Sequence, residues 1–93
     1  FGVDENWITI DNASPVYPNP AKDHINIDFR TTIAEPVNFF IMNISGQNLM
    51  EGTMNPGFSN LSVDVSQLRT GLYLISFKNH DGYGATRKFL IKR

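Results

Sequence analysis

Apolar and polar residues alternate with a period of two along much of the chain. Residues 25–29 show this alternation, which is typical of a strand with one buried and one solvated face. The same pattern recurs in residues 61–65, 72–78 and 85–92, and we predict a strand in each. The residues expected to face inward in these three strands are Leu61, Val63, Val65, Tyr73, Ile75, Phe77, Phe89 and Ile91.

Residues 37–44 depart from this alternation because they are apolar on both sets of positions. We expect this segment to be a central strand or to offer a second apolar face to something outside the domain. Residues 45–47 supply a turn, and residues 48–54 are predicted to return as the hairpin partner. Residues 55–57 form a second turn, since proline presets φ and glycine accepts a positive φ.

The other connections are also short. Residues 66–71 are a loop whose single apolar side chain before the glycine, Leu68, is expected to plug the open end of the core. Residues 79–82 are a hairpin turn that ends in an Asp-Gly pair. No segment of about ten residues or more combines a helical period with caps, so no substantial helix is expected. The pattern predicts an all-β fold, an antiparallel two-sheet sandwich of six or seven strands.

The N-terminal part differs from the rest. Residues 7–10 are a short β-like run, and the polar residues after it are typical of a linker. Next come Tyr17, Pro18, Asn19 and Pro20, whose two prolines predict a stiff, extended segment that is neither helix nor central strand. We therefore expect residues 1–15 to be a linker or the end of a preceding region, and residues 16–93 to be one domain.

Composition and charge narrow the function. With 41% hydrophobic residues and a net charge of −1, the chain is expected to fold and has no basic field for nucleic acid. Without cysteine it has no disulfide or thiolate. Four of the eight cations are Arg87, Lys88, Lys92 and Arg93. This basic end has two interpretations, a solvated, ragged strand end or a charged site that a partner binds.

Candidate chemistry is sparse. His24 and His80 each adjoin an aspartate, but neighbouring residues on a strand point to opposite faces, so neither is expected to form an acid–base pair. Two histidines without further ligands make a weak zinc site. Ser45 precedes a glycine but lacks the surroundings of a nucleophile. We expect no enzyme activity, no metal site and no cofactor.

Four motifs in order resemble the C-terminal sorting domain of the type IX (Por) secretion system of Gram-negative bacteria. The resemblance spans about residues 16–93. The motifs are Tyr17-Pro18-Asn19-Pro20, Asn43-Ile44-Ser45-Gly46-Gln47, Val65-Ser66-Gln67-Leu68-Arg69-Thr70-Gly71-Leu72-Tyr73 and Thr86-Arg87-Lys88-Phe89-Leu90-Ile91-Lys92-Arg93.

The resemblance implies an immunoglobulin-like sandwich of about seven strands at the C-terminus of a cargo protein. It implies that the domain passes through the periplasm and directs the cargo through the outer-membrane translocon. It further implies that a sortase-like protease usually removes the domain and anchors the cargo to the cell surface, while other cargoes are released.

The resemblance also assigns motif positions: Tyr17, Pro18, Asn19, Pro20, Gly46, Gln47, Leu68, Gly71, Tyr73, Lys88, Phe89 and Lys92. We expect a positive φ at Gly46 and Gly71 and packing roles for Leu68 and Tyr73. Lys88, Lys92 and Arg93 have no evident packing role and are therefore the candidates for contact with the translocon. Processing is expected in the stretch Thr9, Ile10, Asp11, Asn12, Ala13 and Ser14.

Alternatives remain at this point. Residues 7–10 are apolar for a linker and form either the last strand of the cargo or a loose strand that pairs with a neighbour's sheet edge, which would give a strand-swapped homodimer. A carbohydrate-binding or adhesive module would need aromatic rings aligned on one face. A structural spacer would normally have chain continuing after it.

Overall fold

A computed structural model describes residues 14–29, 33, 35–79 and 84–93. These residues form strands and no helix, which confirms the all-β prediction. Their strands number six, where the resemblance implied about seven. The strands are β1 (His24–Asp28), β2 (Val37–Asn43), β3 (Asn48–Met54), β4 (Asn60–Asp64), β5 (Gly71–Lys78) and β6 (Gly84–Ile91).

The strands form two antiparallel sheets. β1 pairs with β4, and the larger sheet has the order β3-β2-β5-β6. The central position predicted as one alternative for β2 is confirmed, since it lies between β3 and β5. Phe39, Ile41 and Val37 of β2 are buried, while the alternate residues Phe40 and Met42 remain half-exposed on the other face of the sheet.

The core lies between the sheets. Phe29, next to β1, meets Phe77 of β5 edge to face, with ring centroids 5.5 Å apart. Tyr73 and Phe89 stack with centroids 5.7 Å apart, a geometry that adds to the hydrophobic gain of burial. The inward faces predicted for β5 and β6 are confirmed. The largest fully buried side chains are Phe77, Phe89, Ile25, Ile27, Ile41, Ile75, Ile91, Val37 and Val65.

Two glycines of the motif differ in backbone conformation. Gly46, in the turn between β2 and β3, has a φ of 87°, as predicted, and a side chain there would be strained. The prediction of a positive φ at Gly71 is wrong. Gly71 begins β5 in register with Ile91, so its backbone is already extended, and an added Cβ would meet the Tyr73 ring at an ordinary 3.6 Å.

Some predictions fall outside the described residues. These are the strand at residues 7–10 with its swapped homodimer, the processing positions Thr9, Ile10, Asp11, Asn12 and Ala13, and most of the turn at residues 79–82. Within the described part of the chain, no helix is long and apolar enough to cross a bilayer.

Candidate functional site

Residues 14–21, here called the N-terminal arm, connect the two sheets. The Ser14 backbone N–H donates to the Asp28 carbonyl oxygen at 2.7 Å, and Tyr17 exchanges two backbone hydrogen bonds with Asn26. Residues 18–20 then bend, so the predicted extended geometry holds only for the part of the arm beside β1. The pairing with β1 stops at Tyr17 because Pro18 and Pro20 lack an N–H and cannot continue a ladder.

The Tyr17 side chain reinforces this docking. Its hydroxyl donates to the Asp28 carboxylate at 2.8 Å, and the same carboxylate accepts the Asn60 side-chain amide at 2.6 Å. The hydrogen bond to Asp28 raises the pKa of Tyr17 above its usual value, because the carboxylate is better satisfied by a neutral phenol than by a phenolate. Asp28 thus joins the arm to both strands of the small sheet.

The second half of the arm closes the edge of the last strand. The Leu90 N–H donates to the Asn19 side-chain oxygen at 3.0 Å. Ala21 then donates to the Leu90 carbonyl at 2.7 Å and accepts from the Lys92 N–H at 3.0 Å. An open strand edge is a template for pairing with other chains, and the arm covers this one near its C-terminal end. Asn19 is thereby a motif residue with a defined structural role.

Arg93 has a structural role that the sequence did not suggest. Its guanidinium donates to the Leu68 carbonyl at 2.9 and 2.8 Å, to the Val65 carbonyl at 2.8 Å and to the Asp23 carboxylate at 3.1 Å. Its backbone N–H donates to the Thr70 hydroxyl at 3.2 Å. The expectation that Arg93 lacks a packing role is therefore wrong, because the fold brings its planar guanidinium donors to two carbonyls of a loop distant in sequence.

The loop that Arg93 holds, residues 65–70, is also closed from within. The Leu68 N–H donates to the Val65 carbonyl at 2.9 Å, and Leu68 packs against the core as predicted. The Tyr73 hydroxyl donates to the Arg69 carbonyl at 2.7 Å. At the start of the loop, hydrogen bonding from Ser66 lowers the pKa of Asp64. This corner therefore fixes the position of the chain end.

Lys88 and Lys92 differ from Arg93. Both side chains are exposed. Lys88 lies on β6 on the face opposite the buried Phe89 and Ile91, and Lys92 directly follows the strand. Among the described residues, neither ammonium group has a hydrogen-bond or ion-pair partner. Arg87 is half-buried and donates to the Thr86 carbonyl at 3.0 Å. Of the basic residues proposed for contact with the translocon, the two lysines are presented to solvent.

The turn between β2 and β3 depends on a residue that the sequence reading did not select. The Asn43 side-chain oxygen accepts the backbone N–H groups of Ser45 and Gln47, each at 3.0 Å. Its amide donates to the Gln47 side chain at 3.2 Å. The sequence signal that could have identified this residue is an asparagine shortly before a Ser-Gly pair, since an asparagine side chain can replace a backbone acceptor in a turn.

The described residues bring together no catalytic group. They contain no cluster of three or more His, Cys, Asp or Glu that would hold a metal ion. His24 is exposed at the start of β1, and Ser45 is exposed in the turn that Asn43 organises. The arrangement presents a fixed chain end and two exposed lysines.

Comparison with known proteins gives two results. No curated protein matches the chain. A family model described as "Secretion system C-terminal sorting domain" matches residues 15–92, which include the arm except Ser14, all six strands and Lys88. This family consists of type IX secretion signals and is not an enzyme family. The chain belongs to the C-terminal sorting domain family of the type IX secretion system, whose members direct export across the outer membrane to the cell surface or the extracellular space.

Proposed function

We propose that the domain acts by recognition without chemistry, and that the translocon binds the outward side of β6 through Lys88 and Lys92. The observation that carries this proposal is the contrast at the basic end. Arg93 is held by backbone carbonyls. In contrast, Lys88 on β6 and Lys92 directly after it are exposed, and the arm covers the edge of that strand. Exposed, fixed charges of one sign are suited to attract an acidic partner and to set its orientation.

Arg93 then contributes to recognition by position. Its hydrogen bonds to the loop hold the end of the chain close to β6 and hence keep Lys92 in one place. A fixed ligand loses less conformational entropy on binding than a loose one. We therefore expect loss of Arg93 to weaken export through the stability of this corner.

The proposed sequence of events starts with an attached cargo in the periplasm. The domain binds the translocon, and the cargo crosses the outer membrane. A sortase-like protease then cuts the chain and anchors the cargo to the cell surface. The Ser14 backbone is paired with Asp28, which a protease would have to break, so we propose that the cut falls before Ser14, within Thr9 to Ala13. Mass spectrometry of the exported cargo's new C-terminus tests this: a cut after Ser14 contradicts it.

The decisive experiment is export of a reporter cargo fused to the domain, in a bacterium with a type IX secretion system. We expect Lys88→Ala with Lys92→Ala to leave cargo in the periplasm. The matched control is Lys22→Ala with Arg69→Ala, which also removes two exposed charges but touches neither β6 nor the residue that follows it. Normal export of the Lys88 and Lys92 variant would refute their role, and normal export without the domain would refute the sorting function itself.

The alternative of carbohydrate binding has less support. The exposed rings among the described residues are scattered, since Tyr17 lies beside β1 and Phe58 precedes β4. A third ring, Phe40, lies on the larger sheet. The Phe40 ring is half-buried, with the Lys78 ammonium 5.9 Å from its centroid. A platform on which sugars stack needs exposed aromatic rings aligned on one face. A glycan array would detect sugar binding by the domain.

A further inference from the structure

The larger sheet has one face turned away from the core, here called the outer face. Strand alternation places Phe40 and Met42 of β2, Leu72 and Leu74 of β5, and Leu90 of β6 on it. Their registers make them neighbours. Met42 lies opposite Leu74, and Leu72 lies opposite Leu90. Cross-strand partners on one face are in side-chain contact range, so these five residues form one continuous apolar surface.

This apolar surface is in partial contact with solvent. Leu72 is 39% exposed and Leu90 37%, and the other three are half-buried. A shallow groove of about 200 Å³ runs beside them, lined by Phe40, Met42, Asn48, Ser76 and Lys78. Antiparallel sheets that meet water on one face usually carry polar side chains there. A continuous apolar face therefore indicates a contact surface.

The charges around the outer face are mainly positive. Lys88 lies opposite Leu74, and Lys78 lies over Phe40. Lys92 follows β6 at the same end as Leu90. Among the described residues of the outer face, Glu51, opposite Phe40, is the one acid. A partner that covers the apolar residues must meet these ammonium groups at its margin. Carboxylates in those positions would be complementary, and further cations would be repelled.

We propose that the outer face is the docking surface for a protein of the secretion machinery whose own contact surface is apolar at the centre and acidic at the margin. This inference rests on the proposed sorting function and assigns it a surface. Leu72, Leu74 and Leu90 supply the apolar contact. Lys78 and Lys88 supply the charge that orients the partner.

Other occupants fit less well. A second copy of this chain would bring several lysines from each copy together against one glutamate from each, which is repulsive on balance. A sugar would find, among the described residues of this face, one aromatic ring, Phe40, with the Lys78 ammonium already over it. An anionic bilayer would match the lysines, but Ser76 and Thr86 lie between them and hydrogen-bond to each other across β5 and β6 at 3.1 Å. A protein surface can present groups for both kinds of residue.

The test uses the same cargo fusion with a different variant, Leu72→Thr with Leu90→Thr. Threonine favours strands, and both positions are partly exposed, so the purified domain should keep its urea midpoint. We expect exported cargo to fall by at least about tenfold, with cargo retained in the periplasm. The matched control is Phe58→Thr, which removes an apolar side chain 59% exposed in the loop before β4 and should export normally.

A second variant guards against loss of folding. Ser76→Glu removes no apolar side chain and adds bulk and a negative charge to β5, an inner strand of the larger sheet, opposite Phe40. It should block export in the same way. Wild-type export by both outer-face variants, in a fusion that still needs the domain, would overturn this inference and leave the sorting function standing. Export without the domain would overturn the sorting function instead.

Partner chemistry is tested separately. Lys88→Glu should reduce export more than Lys88→Gln, and equal effects would overturn the acidic margin. If the purified domain sediments as a dimer, and the Leu72→Thr with Leu90→Thr variant sediments as a monomer, the occupant of the outer face is a second copy. If the domain floats with phosphatidylcholine–phosphatidylglycerol vesicles and the same variant does not, the occupant is a membrane. A shift of the emission of Trp7, the only tryptophan, in that variant would make it residues 1–13. Each of these three results would overturn the proposal.

Discussion

The two sides of β6 carry opposite kinds of residue. On the inner side, Phe89 and Ile91 are fully buried between the sheets. On the outer side, Lys88 and Leu90 are exposed beside an apolar surface with no cover among the described residues. These residues alternate within a single motif. Alternate positions of one motif can therefore serve different purposes, the inner ones folding and the outer ones recognition.

The last two residues repeat this contrast on a smaller scale. The Lys92 side chain points to solvent, and only its backbone is bonded, to Ala21. The Arg93 side chain is held by Val65, Leu68 and Asp23. The ion pair with Asp23 contributes little, since the Asp23 side chain is 68% exposed. The hydrogen bonds to carbonyls matter more, because they fix the loop.

The sharpest way to break the comparison is to truncate neighbouring residues on opposite sides of β6. Phe89→Ala should lower the free energy of unfolding by about 3–5 kcal/mol, because it leaves a cavity in a small core. Leu90→Ala should change it by less than about 1 kcal/mol. Urea unfolding of the purified domain measures both. Similar losses for the two variants would mean that the outer side of β6 is also part of the folding core.

The next largest effect is expected at the chain end. Arg93→Ala should lower the free energy of unfolding by about 1–2 kcal/mol, since it removes charge-assisted hydrogen bonds. Arg93→Lys should lose most of the same amount because an ammonium lacks the planar fork. Lys92→Ala is the control and should stay within about 0.5 kcal/mol. If Arg93→Ala were as mild as Lys92→Ala, the bonded corner would not fix the chain end.

A third comparison removes the same atom at two tyrosines. Tyr73→Phe leaves the Arg69 carbonyl at the corner without its partner and should cost about 1 kcal/mol. Tyr17→Phe removes a more exposed hydrogen bond and should cost less. Thermal unfolding of the two variants beside the wild type gives the order. The reverse order would mean that the arm contributes more to stability than the corner.

The smallest effect is one of pH. The Asp28 hydrogen bond raises the pKa of Tyr17, so its contribution is complete below the unfolded pKa of about 10 and is lost as pH rises through the folded value. The stability difference between wild type and Tyr17→Phe should therefore shrink at strongly alkaline pH. Ultraviolet titration should show that the variant lacks one phenol that ionises above the usual pKa of about 10.

Asp64 has the opposite sign. Hydrogen bonding from Ser66 lowers its pKa, so its contribution is present above the unfolded pKa of about 4 and is lost as pH falls through the folded value. Asp64→Asn should narrow the difference in stability between neutral and acidic pH. Urea midpoints at the two pH values test this, and an unchanged difference would contradict it.

Features that depend on neighbouring residues were predicted better from the sequence than features that depend on residues far apart in the chain. The bounds of β3 were predicted in full, since residues 48–54 lie between two clear turns. The inward faces of β5 and β6 were predicted because alternation is local. The positive φ predicted at Gly46 is confirmed and that at Gly71 is wrong, since a glycine beside a turn can adopt a positive φ or an extended conformation. Asn43 was missed because many residues can occupy its place in a sequence pattern, and only the hydrogen bonds single it out.

The sequence by itself determined the all-β class, most strand positions, the buried alternation and the family. The tertiary structure decided what each end residue does. Arg93 meets carbonyls 25 and 28 positions away along the chain. The arm, which comes early in the sequence, contacts β6, which comes late. The outer face exists as one surface only because the strand registers bring Met42, Leu74, Leu72 and Leu90 together. Periodicity shows which way a side chain points, whereas its neighbours follow from strand order and register, which are properties of the whole fold.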